Sequence, residues 1–154
     1  MDPQFVEQMG SPYLMAHGLG VPVENAATTI QVPRSDVYHI WARTCDWAPG
    51  HWEAPGRFRL IVDGDTLSEV LGDMMSWGWN YAGKLRLTEG SATIELTDMT
   101  GFNGRCDAIY MCNRYRAPTN HSGYLKELRN MLTGVTDIPD APSGVYRDGG
   151  IIDY

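Results

Sequence analysis

The chain has 154 residues, a formal net charge of −7 and a hydrophobic fraction of 43%. This length fits one domain with a real core, and the acidic balance argues against a nucleic-acid partner, which would need a basic patch. No apolar run is long enough to span a bilayer, so we expect no membrane partner. The start of the chain also lacks the basic and apolar stretches of a signal peptide.

The chain order of elements predicts an all-β fold. Residues 1–27 are broken by Gly and Pro and are expected to form extended loop. Alternating apolar residues and turn signals then predict about seven short strands, at 28–32, 37–44, 58–64, 66–71, 80–87, 91–99 and 106–112. Phe58, Leu60 and Val62 are expected to face inward, and Asp63-Gly64-Asp65 predicts a tight hairpin turn. This spacing is typical of an antiparallel β-sandwich of the jelly-roll kind.

The pattern changes after residue 113. Residues 122–134 have apolar side chains at helical spacing and end at a glycine, which predicts a short C-terminal helix. Pro- and Gly-rich linkers flank this helix. We therefore divide the chain into a β-sandwich domain, residues 1–113, and a linker, helix and tail, residues 114–154.

An aromatic row stands out at Trp77, Trp79 and Tyr81, where every second residue carries a ring. In a strand these rings would share one face, either as a platform for a ligand or as the wall of a core. We predict that Trp77 and Trp79 are divided, one in the core and one toward the loop end, with Tyr81 in the core. Glycines at 78 and 83 favour a bulge nearby.

The loop at 46–56 contains two tryptophans with polar neighbours. Flat rings with polar tips suit sugars and cations, and loops at the ends of sandwiches commonly carry binding sites. The alternative for any single ring is packing in the core. The residues in question are Trp47, Trp52, Asp46 and His51.

Residues 98–107 bring Asp98, Asn103, Arg105 and Asp107 together in one turn. Such a set could bind a sugar or Ca²⁺. The alternative is a loop held by Asp and Asn side chains on the backbone, with Arg105 paired to a carboxylate. The oxygen spacing is not that of an EF-hand.

The three cysteines, Cys45, Cys106 and Cys112, are interpreted as small core residues. Cys106 and Cys112 lie too far apart along one strand for a disulfide, whereas Cys45 could pair with either. No zinc-like spacing is present. The chain contains no GxSxG, HExxH, P-loop or GxGxxG motif, so no catalytic residue is assigned.

Several segments together resemble an accessory β-sandwich of bacterial FAD-dependent oxidoreductases, which is similar to the galactose-binding-like jelly roll of carbohydrate-binding modules. They are FVEQMGSPYLMAHGLGVPVENAATTIQV, VYHIWARTCDW, APGRFRLIVDG, WGWNYAGK and DMTGFNGRCDAIYM. The resemblance implies a neighbouring flavin domain that holds FAD. The glycine-rich FAD loop is absent from this sequence, so no cofactor is assigned to this chain. The acidic opening strand that forms a Ca²⁺ site in several sugar-binding relatives is also absent, so no metal is assigned.

Together with the ring-rich loop, the resemblance implies a non-catalytic carbohydrate-binding module that belongs to, or derives from, an exported FAD-dependent oxidoreductase, in a secreted or periplasmic location. Trp47 and Trp52 would stack on a sugar, with Trp79 as a further ring. Asp46, His51, Asn103 and Arg105 would bond the hydroxyls. The alternatives are a structural domain that packs on or covers the flavin domain without binding sugar, and a free-standing enzyme.

Overall fold

The computed structural model describes residues 14–50 and 53–118, and the backbone of residues 151–153. Nine strands lie in these ranges. They are β1 (Leu14–His17), β2 (Ala26–Val32), β3 (Asp36–Thr44), β4 (Phe58–Val62), β5 (Asp65–Thr66), β6 (Gly78–Leu87), β7 (Gly90–Asp98), β8 (Phe102–Cys112) and β9 (Ile151–Asp153).

The strands form two antiparallel sheets. One has the order β1-β8-β3-β6, with β9 also paired to β8, and is called sheet A here; the other has the order β2-β7-β4-β5 and is called sheet B. β1 pairs with residues 102–106 of β8 and β9 pairs with residues 108–110, so both lie along the same edge of that strand. The predicted all-β antiparallel sandwich is confirmed.

The core lies between the two sheets, and its residues alternate with outward ones along β3, β4 and β7. β4 buries Phe58, Leu60 and Val62 and turns its intervening residues outward. β7 buries Ala92, Ile94 and Leu96 in the same way, and β3 contributes Tyr38, Ile40 and Ala42. A residue on every second position therefore meets the opposite sheet, as the period of a β-strand requires.

Two parts of the predicted strand pattern need correction. Residues 14–17, predicted as loop, form β1 because they pair with β8. Residues 66–71, predicted as a strand, contribute only the end of the two-residue β5 and an isolated bridge from Leu71 to Phe58.

Other predictions have mixed outcomes. The hairpin turn is confirmed, because Asp63 and Gly64 link β4 to β5 with positive φ angles of 51° and 88°. The C-terminal helix at 122–134 lies outside the described residues, and the division of the chain at residue 113 stays a prediction. Within the described residues, no helix is long and apolar enough to cross a membrane.

All three cysteines are free thiols, so neither pairing left open for Cys45 is present. Cys45 and Cys106 are buried and Cys112 is partly exposed. Burial raises the pKa of Cys45 to about 11, with Asp46 adding to the rise and the neighbouring arginines opposing it. At neutral pH Cys45 is therefore the protonated, unreactive thiol.

Because Cys45 is buried and Cys112 is partly exposed, we expect the two thiols to be alkylated to different extents. At pH 8, three pH units below the pKa of Cys45, only about one Cys45 in a thousand would be thiolate. We expect iodoacetamide to modify Cys112 on the folded chain and to leave Cys45 intact, as measured by peptide mass spectrometry. Labelling in urea is the control, because unfolding removes the burial. Equal labelling of both thiols in the folded chain would contradict the described packing.

Candidate functional site

The outer face of sheet A, which faces away from sheet B, carries a group of rings and Arg43. Strand register arranges them in rows across β8, β3 and β6. Tyr110, Trp41 and Tyr81 form one row, because Trp41 is paired with both of the others. Arg43 and Trp79 are paired in the next row. Long side chains in such rows are close enough to touch.

These rings form a cluster that we call the aromatic layer. Its members are His39, Trp41, Trp79, Tyr81, Tyr110 and Tyr115. Trp41 is the centre, with ring centroids 5.3 Å from Tyr81, 5.6 Å from Tyr115 and 6.0 Å from Tyr110. Tilted and edge-on contacts at these distances are the favourable ones for aromatic pairs.

The exposed fraction of the side chains differs across this layer. Trp41 is only 3% exposed and forms its floor, whereas Trp79, Tyr81 and Tyr110 are half-buried and Tyr115 is 71% exposed. His39 Nδ1 and the Tyr81 hydroxyl are hydrogen-bonded at 2.8 Å. Burial raises the pKa of Tyr81 above its usual value, so its hydroxyl keeps its proton at neutral pH.

This arrangement shows which rings of the aromatic row lie in the core and which lie on the outer face. Trp77 is buried in a small cluster with Cys45 and Met15, so the prediction of one core tryptophan is confirmed. Trp79 is half-buried on the outer face, against Tyr110 at 6.1 Å. The prediction that Tyr81 lies in the core is wrong, because the register of β6 on β3 turns Tyr81 outward.

A buried ion pair lies between the aromatic layer and the end of the sheet. Arg43 Nη1 is 2.8 Å from Asp107 Oδ2, and both side chains are almost fully buried. Asp107 sits at a register shift in β8, where Arg43 pairs with Ala108 and Thr44 with Cys106. The Arg43 guanidinium also lies 5.7 Å from the ring centre of Trp77, a cation–π distance.

The second ring site lies at one end of the sandwich and is called the loop site. It consists of His17, Trp47, Phe102, Asn103 and Arg105. Trp47 is 37% exposed, yet its Nε1 donates to the carbonyl of Phe102 at 2.7 Å. The guanidinium of Arg105 lies 5.9 Å from the centre of the Trp47 ring. The ring is thus held in place while it faces solvent.

Polar groups stand beside this ring. Asn103 has a φ of 54°, a left-handed conformation that Asn adopts more readily than most residues. Its Oδ1 accepts from Nδ1 of the exposed His17 at 2.6 Å. The remaining amide group of Asn103 and the far side of the imidazole offer hydrogen bonds to a polar ligand.

The loop that carries these residues is held by Asp98. Its carboxylate accepts from the backbone N–H groups of Thr100 at 3.2 Å and Gly101 at 3.0 and 3.1 Å. It also accepts from the backbone N–H of Val23 at 3.0 Å, which ties in the β1–β2 connection. The structure therefore gives Asp98 the backbone-holding role that was one of the two alternatives for this segment.

The predicted site residues are brought together only in part. Trp47, Asn103 and Arg105 meet at the loop site. Asp46 adjoins it but is buried, with its Oδ1 accepting from the Ala48 backbone N–H at 2.9 Å. Trp79 belongs to the aromatic layer instead. His51 and Trp52 lie outside the described residues.

Sequence reasoning missed several ring and imidazole residues. His17 was predicted to lie in a loop, and its position beside Asn103 follows from the pairing of β1 with β8. Phe102 is 48% exposed, but only its polar neighbours were proposed as ligand-binding residues. Tyr110 could have been found from the alternation of β8, whereas Tyr115 follows the last predicted strand and carried no signal.

A metal site needs several ligands close together. Among residues 14–50 and 53–118, no three His, Cys, Asp or Glu side chains lie close enough to hold a metal ion together.

The two antiparallel sheets form a β-sandwich whose fold is like that of carbohydrate-binding modules. Aromatic rings lie at one end of this sandwich and on one of its outer faces. A GH26-CBM35 β-(1,4)-mannanase from Podospora anserina is similar at a TM-score of 0.51 and 16% identity, over 70% of this chain and 24% of that chain. This chain thus matches about a quarter of the mannanase, and the likeness shows the fold alone.

Two isolated modules give lower scores. A family 35 carbohydrate-binding module from an environmental isolate has a TM-score of 0.49 and 14% identity, over 65% of this chain and 72% of the module. A family 35 module from Clostridium thermocellum has a TM-score of 0.45 and 14% identity, over 68% of this chain and 100% of the module. No protein-family model and no curated protein matches the sequence.

Proposed function

We propose that this chain is a non-catalytic carbohydrate-binding domain whose ligand stacks on Trp47. The observation that carries the proposal is a tryptophan exposed to solvent but fixed by its Nε1 hydrogen bond to Phe102 and by Arg105. A ring held in advance loses little conformational entropy when a ligand binds. The apolar face of a sugar suits such a ring.

The set of residues that we expect to bond sugar hydroxyls differs from the set predicted from the sequence. Asn103 and His17 stand at the surface beside Trp47 and are the groups that would bond sugar hydroxyls. Arg105 is only 7% exposed, so it supports the Trp47 ring from within rather than contacting a ligand broadly. Asp46 likewise holds the loop backbone. The roles of His51 and Trp52 stay predictions.

The fold comparison supports this proposal in a limited way. The similar mannanase chain is described as containing a family 35 carbohydrate-binding module, and its activity is on β-1,4-linked mannan. We take from it the first ligand class to test. The match shows the fold, so the sugar specificity of this chain depends on its own loop site.

The wider role is also part of the proposal. An accessory domain delivers an attached catalytic domain to a polymer, and the sequence resemblance makes that partner an exported FAD-dependent oxidoreductase, with FAD held by the partner. The mannanase suggests a glycoside hydrolase as the other class of partner. Binding of this chain to a purified flavin domain, measured by size-exclusion chromatography, would test the first choice.

A glycan screen tests the central claim. The full chain is applied to an array of cell-wall glycans that includes β-1,4-linked mannans, and we expect a specific hit. Trp47→Ala should weaken that binding about fivefold or more, because a lost aromatic stack is worth about 1 kcal/mol or more. The melting temperature should change little, because the ring is partly exposed.

Two further variants sharpen this screen. Trp47→Phe keeps a ring but loses the Nε1 donor to Phe102, so it should bind with intermediate affinity. Thr29→Ala, on the exposed outer face of sheet B, is the control and should bind as the unsubstituted chain does. A folded chain with no hit would refute carbohydrate binding and favour the alternative of a domain that only packs on its catalytic partner.

A further inference from the structure

A β-bulge positions the polar side chains of the loop site. In the pairing of β1 with β8, Ala16 lies opposite Gly104 and His17 lies opposite Phe102. Asn103 is therefore the extra residue between them on β8, and its φ of 54° is the left-handed conformation that one class of bulge requires. A bulge re-aims a side chain from the direction that regular alternation would give it. Here the Asn103 amide meets the imidazole of His17.

The hydrogen bond inside this pair fixes the position of the hydrogen on the imidazole. Asn103 Oδ1 lies 2.6 Å from His17 Nδ1. An amide oxygen can only accept, so Nδ1 carries the hydrogen. In the neutral imidazole the other nitrogen, Nε2, is then bare and accepts, whereas the Asn103 Nδ2 group can only donate. The pair therefore presents one acceptor and one donor with fixed roles.

The pair lies beside the exposed ring of the site. Trp47 Nε1 donates to the carbonyl of Phe102, the residue before Asn103. A Cβ added at Gly56 would lie 3.1 Å both from Trp47 Cδ1 and from the Asn103 carbonyl oxygen, so these two atoms are no further apart than twice that distance. A sugar that stacks on Trp47 carries its hydroxyls around the edge of its apolar face. Those hydroxyls would therefore meet the pair.

The charged groups nearby are engaged within the protein. The carboxylates of Asp98 and Asp46 accept from backbone N–H groups, and Arg105 is only 7% exposed. Ligand atoms at the surface would thus meet His17 Nε2 and Asn103 Nδ2 first. A carboxylate or carbonyl oxygen of a ligand can only accept, so it has no hydrogen to give to Nε2, whereas a hydroxyl can donate there.

We propose that His17 is a specificity-determining residue whose Nε2 selects a sugar hydroxyl that donates a hydrogen bond, while Asn103 Nδ2 donates to another oxygen of the same sugar. This inference rests on the proposed carbohydrate-binding function and deepens it. It assigns the ligand to neutral sugars with a free hydroxyl at that position, rather than to uronic acids with a carboxylate there. Asn103 has a second role, because its Oδ1 holds the tautomer of His17 on which the selection depends.

The tautomer can be measured without any ligand. A long-range proton–nitrogen correlation spectrum of the full chain at pH 8 reports which imidazole nitrogen carries the hydrogen, and the loss of signals in His17→Phe assigns them. We expect the hydrogen on Nδ1, and Asn103→Gly should remove this preference. The melting temperature of Asn103→Gly should not fall, because glycine adopts a positive φ without strain. Hydrogen on Nε2 in the unsubstituted chain would overturn the inference.

Fluorinated sugars test what Nε2 selects, because fluorine in place of a hydroxyl cannot donate. The full chain is titrated with the methyl glycosides of mannose, glucose and galactose, with their monodeoxyfluoro analogues at each position and with methyl glucuronide and galacturonide. Amide chemical shifts are the readout. For a glycoside that binds, we expect fluorine at one position to weaken binding about threefold to tenfold, as for one lost hydrogen bond.

The substituted chains link this loss to the imidazole. In His17→Phe the same fluorination should have no further effect, because the acceptor is already gone. Asn103→Gly should weaken binding of the parent glycoside at least about threefold. Thr29→Ala, on the exposed outer face of sheet B, is the control and should respond to fluorine as the unsubstituted chain does. Circular dichroism confirms the fold of each variant.

The possible failures are distinguishable. Binding that tolerates fluorine at every position, or a uronide that binds better than its parent glycoside, would overturn the hydroxyl selection and leave the proposed function standing. If Asn103→Gly lowers the melting temperature and keeps full binding, the pair is only a structural tie, which also overturns the selection. No binding of any glycoside would overturn it as well, and the glycan array decides separately whether the proposed function stands.

Discussion

Asp107→Ala is expected to lower the free energy of unfolding by about 3–5 kcal/mol, the cost of removing one partner of a buried ion pair. Arg43 would lose its carboxylate partner in a position shielded from water, beside the Trp77 ring. Equilibrium urea unfolding, followed by tryptophan fluorescence, measures the change. The m-value should stay the same if only the native state is destabilised.

An exposed ion pair provides the matched control. Arg34 and Asp36 lie 3.5 Å apart at the surface, and Arg34→Ala should cost less than about 1 kcal/mol. Replacing both buried partners, as in Arg43→Met with Asp107→Leu, should recover most of the stability, because the desolvation cost disappears with the charges. If Asp107→Ala behaves like Arg34→Ala, the pair is not buried as described.

Gly101→Ala is expected to disrupt the loop site through the backbone. Gly101 has a φ of 69°, and a Cβ there would overlap the backbone of Val21. The carbonyl of Gly101 accepts from the N–H groups of Gly18 and Gly20 at 3.0 and 3.1 Å. A side chain would therefore push apart the two loops that bring His17 to Asn103.

The magnitude follows from two costs. The positive φ costs a side chain about 1–3 kcal/mol, and the overlap with backbone atoms adds about 1–3 kcal/mol. Gly64→Ala is the matched control, because Gly64 has a φ of 88° but no atom within 4 Å of the added Cβ. We expect Gly101→Ala to cost at least about 1 kcal/mol more than Gly64→Ala in urea unfolding. It should also weaken glycan binding, and equal effects of the two substitutions would contradict this.

The sandwich was predictable because alternation is a local property. Phe58, Leu60 and Val62 were expected to face inward, and they are the buried side of β4. The turn at Asp63 and Gly64 was equally predictable, since few residues other than glycine and asparagine or aspartate tolerate positive φ. Errors arose where a strand depends on a distant partner, as β1 depends on β8.

In the candidate site, too, local features were predictable and contacts between distant parts of the chain were not. The loop around Trp47 was predictable, because Gly and Pro nearby mark a loop, whereas the exposure of the ring was left open. That Arg105 would be buried beneath that ring was not predictable, since the two residues lie far apart in the sequence. Nor was the outward position of Tyr81, which depends on the register between β6 and β3.

The sequence by itself determined the all-β class, the inward face of each main strand and the presence of ring-rich loops, because strand period and turn chemistry act over a few residues. Only the tertiary structure decided that Arg43 pairs with Asp107, that Trp41 becomes the floor of a ring cluster and that His17 meets Asn103. Each of these contacts joins strands distant in sequence, and the register that creates them is set by the packing of the whole sandwich.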